Sequence, residues 1–123
     1  MTGKFYLTTA IPYVNAAPHI GHALEFVQTD AIARYHAAKG MDVALVTGSD
    51  ENSLKNVHAA EAKGITPAQL CEQNAEIFKT MADKIGLSYT SFQRTSMKDS
   101  HWPGVNTLWE LCGKSGDVYK KKH

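Results

Sequence analysis

The four residues Val43-Ala44-Leu45-Val46, set between Asp42 and Gly48, constrain the fold more than any other stretch of the chain. A run so short and so uniformly apolar predicts a strand buried on both faces, the environment of a parallel sheet. Parallel neighbours cannot be joined by tight hairpins, so the chain must supply long crossovers. The preceding sequence has the right parts for one. Lys4 to Ala10 is rich in aromatic, β-branched and aliphatic residues and gives way to Ile11-Pro12, where proline removes a ladder donor, so a short strand ending in a loop is predicted. From Ile20 the period changes: Ile20, Leu24, Val27, Ala31 and Tyr35 recur at helical spacing, which predicts a helix with these side chains on its core face, terminated by Gly40. Strand, helix and strand make a βαβ unit, with a right-handed crossover expected.

The pattern repeats downstream. Leu54, Val57 and Ala60 mark a second helix ending at Gly64. Thr66-Pro67-Ala68-Gln69 combines a capping threonine, proline at the first helical position and glutamine three residues after the cap, and so opens a third. Its predicted apolar face is Leu70, Ile77, Phe78, Met81 and Ile85, and Gly86 stops it. Phe92 to Thr95 reads as a third strand. Val105, Leu108, Trp109 and Cys112 mark a last helix running to Gly116, with Pro103 near its start and both Trp102 and Trp109 expected in the core. Val118 to Lys122 is expected to begin another strand, and Lys120-Lys121-Lys122 to be a solvated end. The fold class that follows is α/β, the first half of a doubly wound, Rossmann-like parallel sheet, β-α-β-α-β plus a final helix. With only half the sheet present, the first strand is expected at an exposed edge.

Composition narrows what such a fold can do. The 123 residues suffice for one domain, and 43% hydrophobic with 20% charged residues is ordinary for a globule. Thirteen Lys and Arg against 12 Asp and Glu leave a formal charge of +1, which provides no broad positive field for nucleic acid. Two cysteines, Cys71 and Cys112, are too few for a disulfide framework and suit a reducing compartment, so a cytoplasmic location is expected. No apolar stretch is long enough to span a membrane, and no leader pattern precedes Lys4, so neither membrane insertion nor export is expected.

Ligands of doubly wound sheets bind outside the carboxyl ends of the strands, which directs attention to the loops Ile11–His19 and Gly48–Asn52. Pro18-His19-Ile20-Gly21-His22 places two imidazoles at a helix mouth, where free N–H groups and the helix dipole favour an anion. Histidine N–H groups can follow charge as it moves between phosphate oxygens, and Gly21 lets a flat ring or phosphate approach the backbone. The spacing alone leaves three readings: a nucleotide site, ordinary surface or capping histidines, and a metal site. The metal reading is the weakest, because the pattern is not His-Glu-x-x-His and needs a third ligand such as Asp50. His36, His58, His101 and His123 belong to no comparable cluster. Asp50 follows the second strand and either caps the next helix or holds an ammonium; Tyr13 either packs or walls a pocket while offering one hydrogen bond.

Thr8-Thr9-Ala10-Ile11-Pro12-Tyr13-Val14-Asn15-Ala16-Ala17-Pro18-His19-Ile20-Gly21-His22-Ala23, followed by Asp30, Arg34-Tyr35, Gly40 and Thr47-Gly48-Ser49-Asp50-Glu51, closely resembles the N-terminal catalytic region of the methionyl-tRNA synthetases. His-Ile-Gly-His is the signature shared by class I aminoacyl-tRNA synthetases; the Ile-Pro-Tyr-Val-Asn lead-in and the Gly-Ser-Asp-Glu loop point to methionine. The resemblance implies a ligase that binds ATP, with Mg2+, and methionine. The methionine carboxylate attacks the α-phosphate, methionyl-adenylate and pyrophosphate form, and the methionyl group passes to tRNA. It implies that His19 and His22 are catalytic and contact ATP with Gly21 and Asn15, that Ile11 and Tyr13 border the methionine side chain, and that Asp50 pairs with its ammonium. No metal ligand is implied here; zinc is implied only in the family's inserted domain.

This sequence departs from the resemblance in two ways. Asn52-Ser53 stands where many relatives carry His-Gly, which puts contacts from that turn in doubt while leaving Asp50 intact. Residues 1–116 correspond to the N-terminal half of the catalytic domain, and 117–123 to the start of the connective insertion. The second half of the sheet, the Lys-Met-Ser-Lys-Ser loop and the anticodon-binding domain have no counterpart. The chain alone is therefore expected not to aminoacylate, to reach tRNA only through those other parts, and to self-associate through its first strand. The alternative is a stand-alone, synthetase-like module that holds a nucleotide or a partner without catalysis.

Overall fold

The computed structural model describes residues 3–122. Its elements alternate as the periodicity predicts: β1 (Lys4–Thr8), α1 (Ile20–Ala38), β2 (Asp42–Ser49), α2 (Leu54–Lys63), α3 (Pro67–Lys84), β3 (Ser91–Arg94) and α4 (Trp102–Ser115). The three strands form one sheet in the order β1-β2-β3, and both pairings are parallel. β1 pairs with the first part of β2, from Lys4 opposite Asp42 to Thr8 opposite Val46, and β3 pairs with the second, from Val46 opposite Ser91 to Ser49 opposite Arg94. All three carboxyl ends therefore lie together, and β1 is an edge, as predicted. Gly48 is required at the β2–β3 seam, because a β-carbon there would lie 1.8 Å from the Gln93 carbonyl oxygen.

Local chemistry accounts for the helix limits. Thr66 and Gln69 exchange the two hydrogen bonds of a capping box at the start of α3, with Pro67 at its first position. Gly64 ends α2 in the left-handed region at φ 66°. The core forms where α1 and α3 meet one face of the sheet: Phe26 and Ala33 of α1, Leu45 of β2 and Ala82 of α3 join Leu87. A second cluster gathers Val14, Cys71, Ala75 and Phe78, with Met81 lying against both.

Several expectations are corrected. The stripe Ile20, Leu24, Val27, Ala31 and Tyr35 faces solvent, with Ile20 86% exposed, while the opposite side of α1 carries the buried Phe26 and Ala33. The helix is apolar on two sides, and the less regular one packs on the sheet. The run at Val43–Val46 is covered on one face only: Leu45 is buried, whereas Ala44 and Val46 stay partly exposed because strand neighbours point to opposite faces. Trp102 and Trp109 are not core, since α4 leaves the sheet after β3 and buries no residue; the Trp102 indole is held at the surface by the Thr95 carbonyl, at 3.2 Å, and by Lys98 Nζ, 5.3 Å from the ring centroid. Ile77 and Ile85 are partly exposed, and small or polar α3 residues, Ala75, Ala82 and Asn74, take the buried positions. Residues 118–122 form no strand. His123 lies outside the described residues, as do Met1 and Thr2.

Candidate functional site

The turn that opens α1 is built from its own two histidines. His19 is the N-cap, and its Nδ1 accepts the Gly21 N–H at 3.1 Å; His22 Nδ1 accepts the His19 N–H at 3.1 Å. This is a capping box with imidazoles in place of the usual hydroxyl and carboxamide. A ring nitrogen that accepts from a backbone N–H carries no proton, so each neutral ring holds its hydrogen on Nε2. The ring centroids stand 3.9 Å apart, and the pair offers two Nε2–H donors at the helix mouth. Burial chiefly, and then the neighbouring His19, lower the His22 pKa below the ordinary imidazole value, against an opposing pull from Glu25. The His19 ring closes over Gly21: a β-carbon there would meet His19 Cε1 at 2.9 Å and push the ring aside.

The loop leading into this turn is pinned from below. Val14 is fully buried in the second core cluster, and its carbonyl accepts Asn74 Nδ2 at 2.6 Å. The Ala10 N–H donates to Glu25 Oε1 at 2.7 Å. Between these anchors the loop surrounds a cleft of about 350 Å³ lined by Tyr13, Asn15, His19 and His22 together with Pro12, Ala16 and Ala17. Ile11 and Gly21 lie on the same segment but do not line it.

Asp50 arrives from the end of β2. Its N–H donates to the Pro12 carbonyl at 2.9 Å, so that Asp50 and Tyr13 form a one-residue parallel bridge between the two loops. Its Oδ1 accepts the Asn52 N–H at 3.0 Å. Asp50 does not cap α2; Ser53 does, with Oγ accepting the Lys55 N–H at 3.1 Å. Tyr13 is half exposed, with Lys55 Nζ 5.4 Å above its ring. Asp50 does not line the histidine cleft; it borders a separate, larger one of about 680 Å³ with Asn52, Thr95, His101 and Trp102.

Glu51, next in the chain, stands in the Gly-Ser-Asp-Glu loop, but the sequence assigns it no role of its own. Its side chain is 1% exposed and accepts Arg94 Nε at 2.6 Å and Nη2 at 3.2 Å, Ser49 Oγ at 2.9 Å and Ser96 Oγ. Burial pushes the carboxyl up, but the hydrogen bonds from Arg94, Ser96 and Ser49 and the charge of Arg94 outweigh it and hold the pKa below its usual value. Arg94 also reaches Glu72 of α3 at 2.7 Å. The carboxyl ends of β2 and β3 and the flank of α3 are thereby clamped together beside Asp50. Opposite charges at adjacent strand ends were the available signal for this pair. Among the described residues, no group of three or more His, Cys, Asp or Glu side chains is placed to hold a metal ion.

Residues 5–123 match the profile of the class I tRNA synthetases (M). The chain belongs to this family. It is 45% identical to the methionine–tRNA ligase of Mycobacterium leprae over 94% of its own length and 21% of that protein, and 42% identical to the one from Brucella suis over 95% and 22%. It superposes on the crystal structure of Mycobacterium tuberculosis methionyl-tRNA synthetase bound by methionyl-adenylate with a TM-score of 0.91 and 41% identity, covering 94% of this chain and 23% of that one. The chain thus spans about a fifth of the length of these relatives, and within that fifth it has the synthetase fold. No helix among the described residues is long and apolar enough to cross a membrane.

Proposed function

We propose that this chain is the ATP- and methionine-binding part of a cytoplasmic methionine–tRNA ligase. The observation that carries this reading is the joining of two anchors: the paired Nε2–H donors and the Asp50 carboxylate sit at the same end of one sheet, linked through Tyr13. A solved relative with methionyl-adenylate bound supports the choice of ligands. His19 and His22 donate to ATP phosphate oxygens and follow the charge that builds as the methionine carboxylate attacks the α-phosphate and pyrophosphate leaves. Because both Nδ1 atoms are committed to the backbone, the rings act as fixed hydrogen-bond donors and not as proton shuttles. Asn15 assists at the nucleotide and Gly21 lies against it. Asp50 holds the methionine ammonium, and Tyr13 and Ile11 border its side chain. Catalysis here is positioning and charge stabilisation, with no covalent enzyme intermediate.

Residues 1–116 act as the N-terminal half of the catalytic domain, and 117–123 lead toward an insertion, to which any zinc is assigned. Mg2+ enters with ATP, and tRNA is engaged by regions of the relatives that this chain does not span. The bare second face of the sheet and the open β1 edge favour self-association of the isolated chain, and they favour its inactivity in aminoacylation.

The reading is tested by titrating the chain with ATP while following imidazole resonances by NMR. His19 and His22 are expected to shift and His58 to stay still. Equal shifts at all histidines, or none, would refute it. ATP–pyrophosphate exchange with methionine is expected to remain at blank level.

A further inference from the structure

Asn56 is the least explicable residue in the fold on grounds of stability. It is the third residue of α2, 1% exposed, on a helix whose apolar periodicity would have buried Leu54; Leu54 is instead 75% exposed. Its Oδ1 has no hydrogen-bond donor among the described residues. An acceptor stripped of water and left unpaired costs folding free energy, and an aliphatic side chain would fill the same space without that cost. Asparagine is also a poor residue inside a helix. The other half of the amide, however, has work to do. Asn56 Nδ2 donates to the Asp50 carbonyl at 3.3 Å.

With that bond both peptide groups flanking the Asp50 α-carbon are held, the N–H by the Pro12 carbonyl and the C=O by Asn56. The Asn52 N–H then donates to Oδ1, which fixes the carboxylate at one of its two oxygens. We propose that Asn56 is a positioning residue for Asp50, its buried amide aiming the carboxylate at the expense of an unpaired oxygen. This rests on the reading that Asp50 receives the substrate ammonium, and it adds a residue that neither spacing nor charge pattern marks. Glu51 and Arg94 clamp the strand ends beside the turn, whereas Asn56 holds the Asp50 peptide itself.

The test uses Asn56→Leu and Asn56→Ala in the full 123-residue chain. Asn56→Leu is expected to keep or raise the thermal midpoint, while the Asn52 amide, which reports the bond to Asp50 Oδ1, loses hydrogen-exchange protection by about tenfold or more. Its amide chemical shift should move upfield as the bond to Oδ1 is lost in both variants, with β2 amides such as Leu45 and Thr47 unchanged. Unaltered Asn52 protection and chemical shift in both variants would overturn the proposal. A lower midpoint with protection lost throughout α2 would also overturn it, by showing a merely structural role.

Methionine titration separates this inference from the reading beneath it. In the unaltered chain methionine should shift the Asp50 and Asn52 resonances, and Asn56→Leu should weaken that response by about tenfold. No shift in the unaltered chain defeats the amino-acid reading; a shift that persists undiminished in the variant defeats the positioning role.

Discussion

The two turns that make up the site are held in opposite ways. The His19 turn is closed by residues three apart, which supply the cap, the donors and the ring that covers Gly21. The Asp50 turn is closed by Pro12, Asn56 and Asn52, with the Glu51–Arg94 clamp beside it drawing in β3 and α3. A locally closed turn survives small changes elsewhere in the fold; one assembled from distant segments is accurate only while all of them stay docked. The His19 turn is thus autonomous, and the Asp50 turn is a property of the folded sheet.

Arg94→Ala gives the largest separation of the two. It strands the buried Glu51 carboxylate, and loss of one partner of such a pair costs about 3–5 kcal/mol. Urea unfolding should show that loss, and NMR should show the Asp50 turn released with the His19–Gly21 hydrogen bond intact. Equal loss at both turns would erase the distinction.

Acid should separate the turns as well. Glu51 is held below its ordinary pKa of 4.5, so its contribution is complete above that value and disappears as pH falls through the lowered one. His22 is also lowered, from 6.5, which favours the neutral capping ring in the fold; that contribution is present above 6.5 and disappears as pH falls through the lowered value. Amide exchange followed downward from neutral pH should therefore show the α1 start loosening before the β2–β3 clamp, because an imidazole takes up its proton well before a carboxylate does. The reverse order would break the comparison.

His19→Ala should cost only about 1 kcal/mol, the usual worth of an N-cap, with fraying confined to the first turn of α1 by hydrogen exchange. Fraying that spread to Asp50 would show that the turns are coupled. Smallest of all, Leu24→Gln on the exposed stripe should change urea-unfolding stability by less than about 0.5 kcal/mol and leave both turns as they are.

The contrast also explains what could be read in advance. The Thr66 capping box and the Gly64 stop are local chemistry, so the end of α2 and the start of α3 were legible. The histidine pair was legible for the same reason. The core face of α1 was not: periodicity finds an apolar stripe, but α1 has apolar residues on two sides and only packing on the sheet selects Phe26 and Ala33. Trp102 and Trp109 misled because size and apolarity predict burial only when something packs against them, and α4 borders an open cleft and buries no residue. Glu51 and Arg94 left only the faint signal of opposite charges at strand ends, because they are partners across the fold, and Asn56 left none, because its role depends on how α2 docks.

One consequence of the histidine cap concerns how occupancy of the site can be felt. The same two rings start a 19-residue rod and present its donors, so a ligand drawing on their outward hydrogens polarises the very nitrogens that hold the rod's first amides. Filling of the site would then be felt in the opening coil of α1 and fade within that first turn.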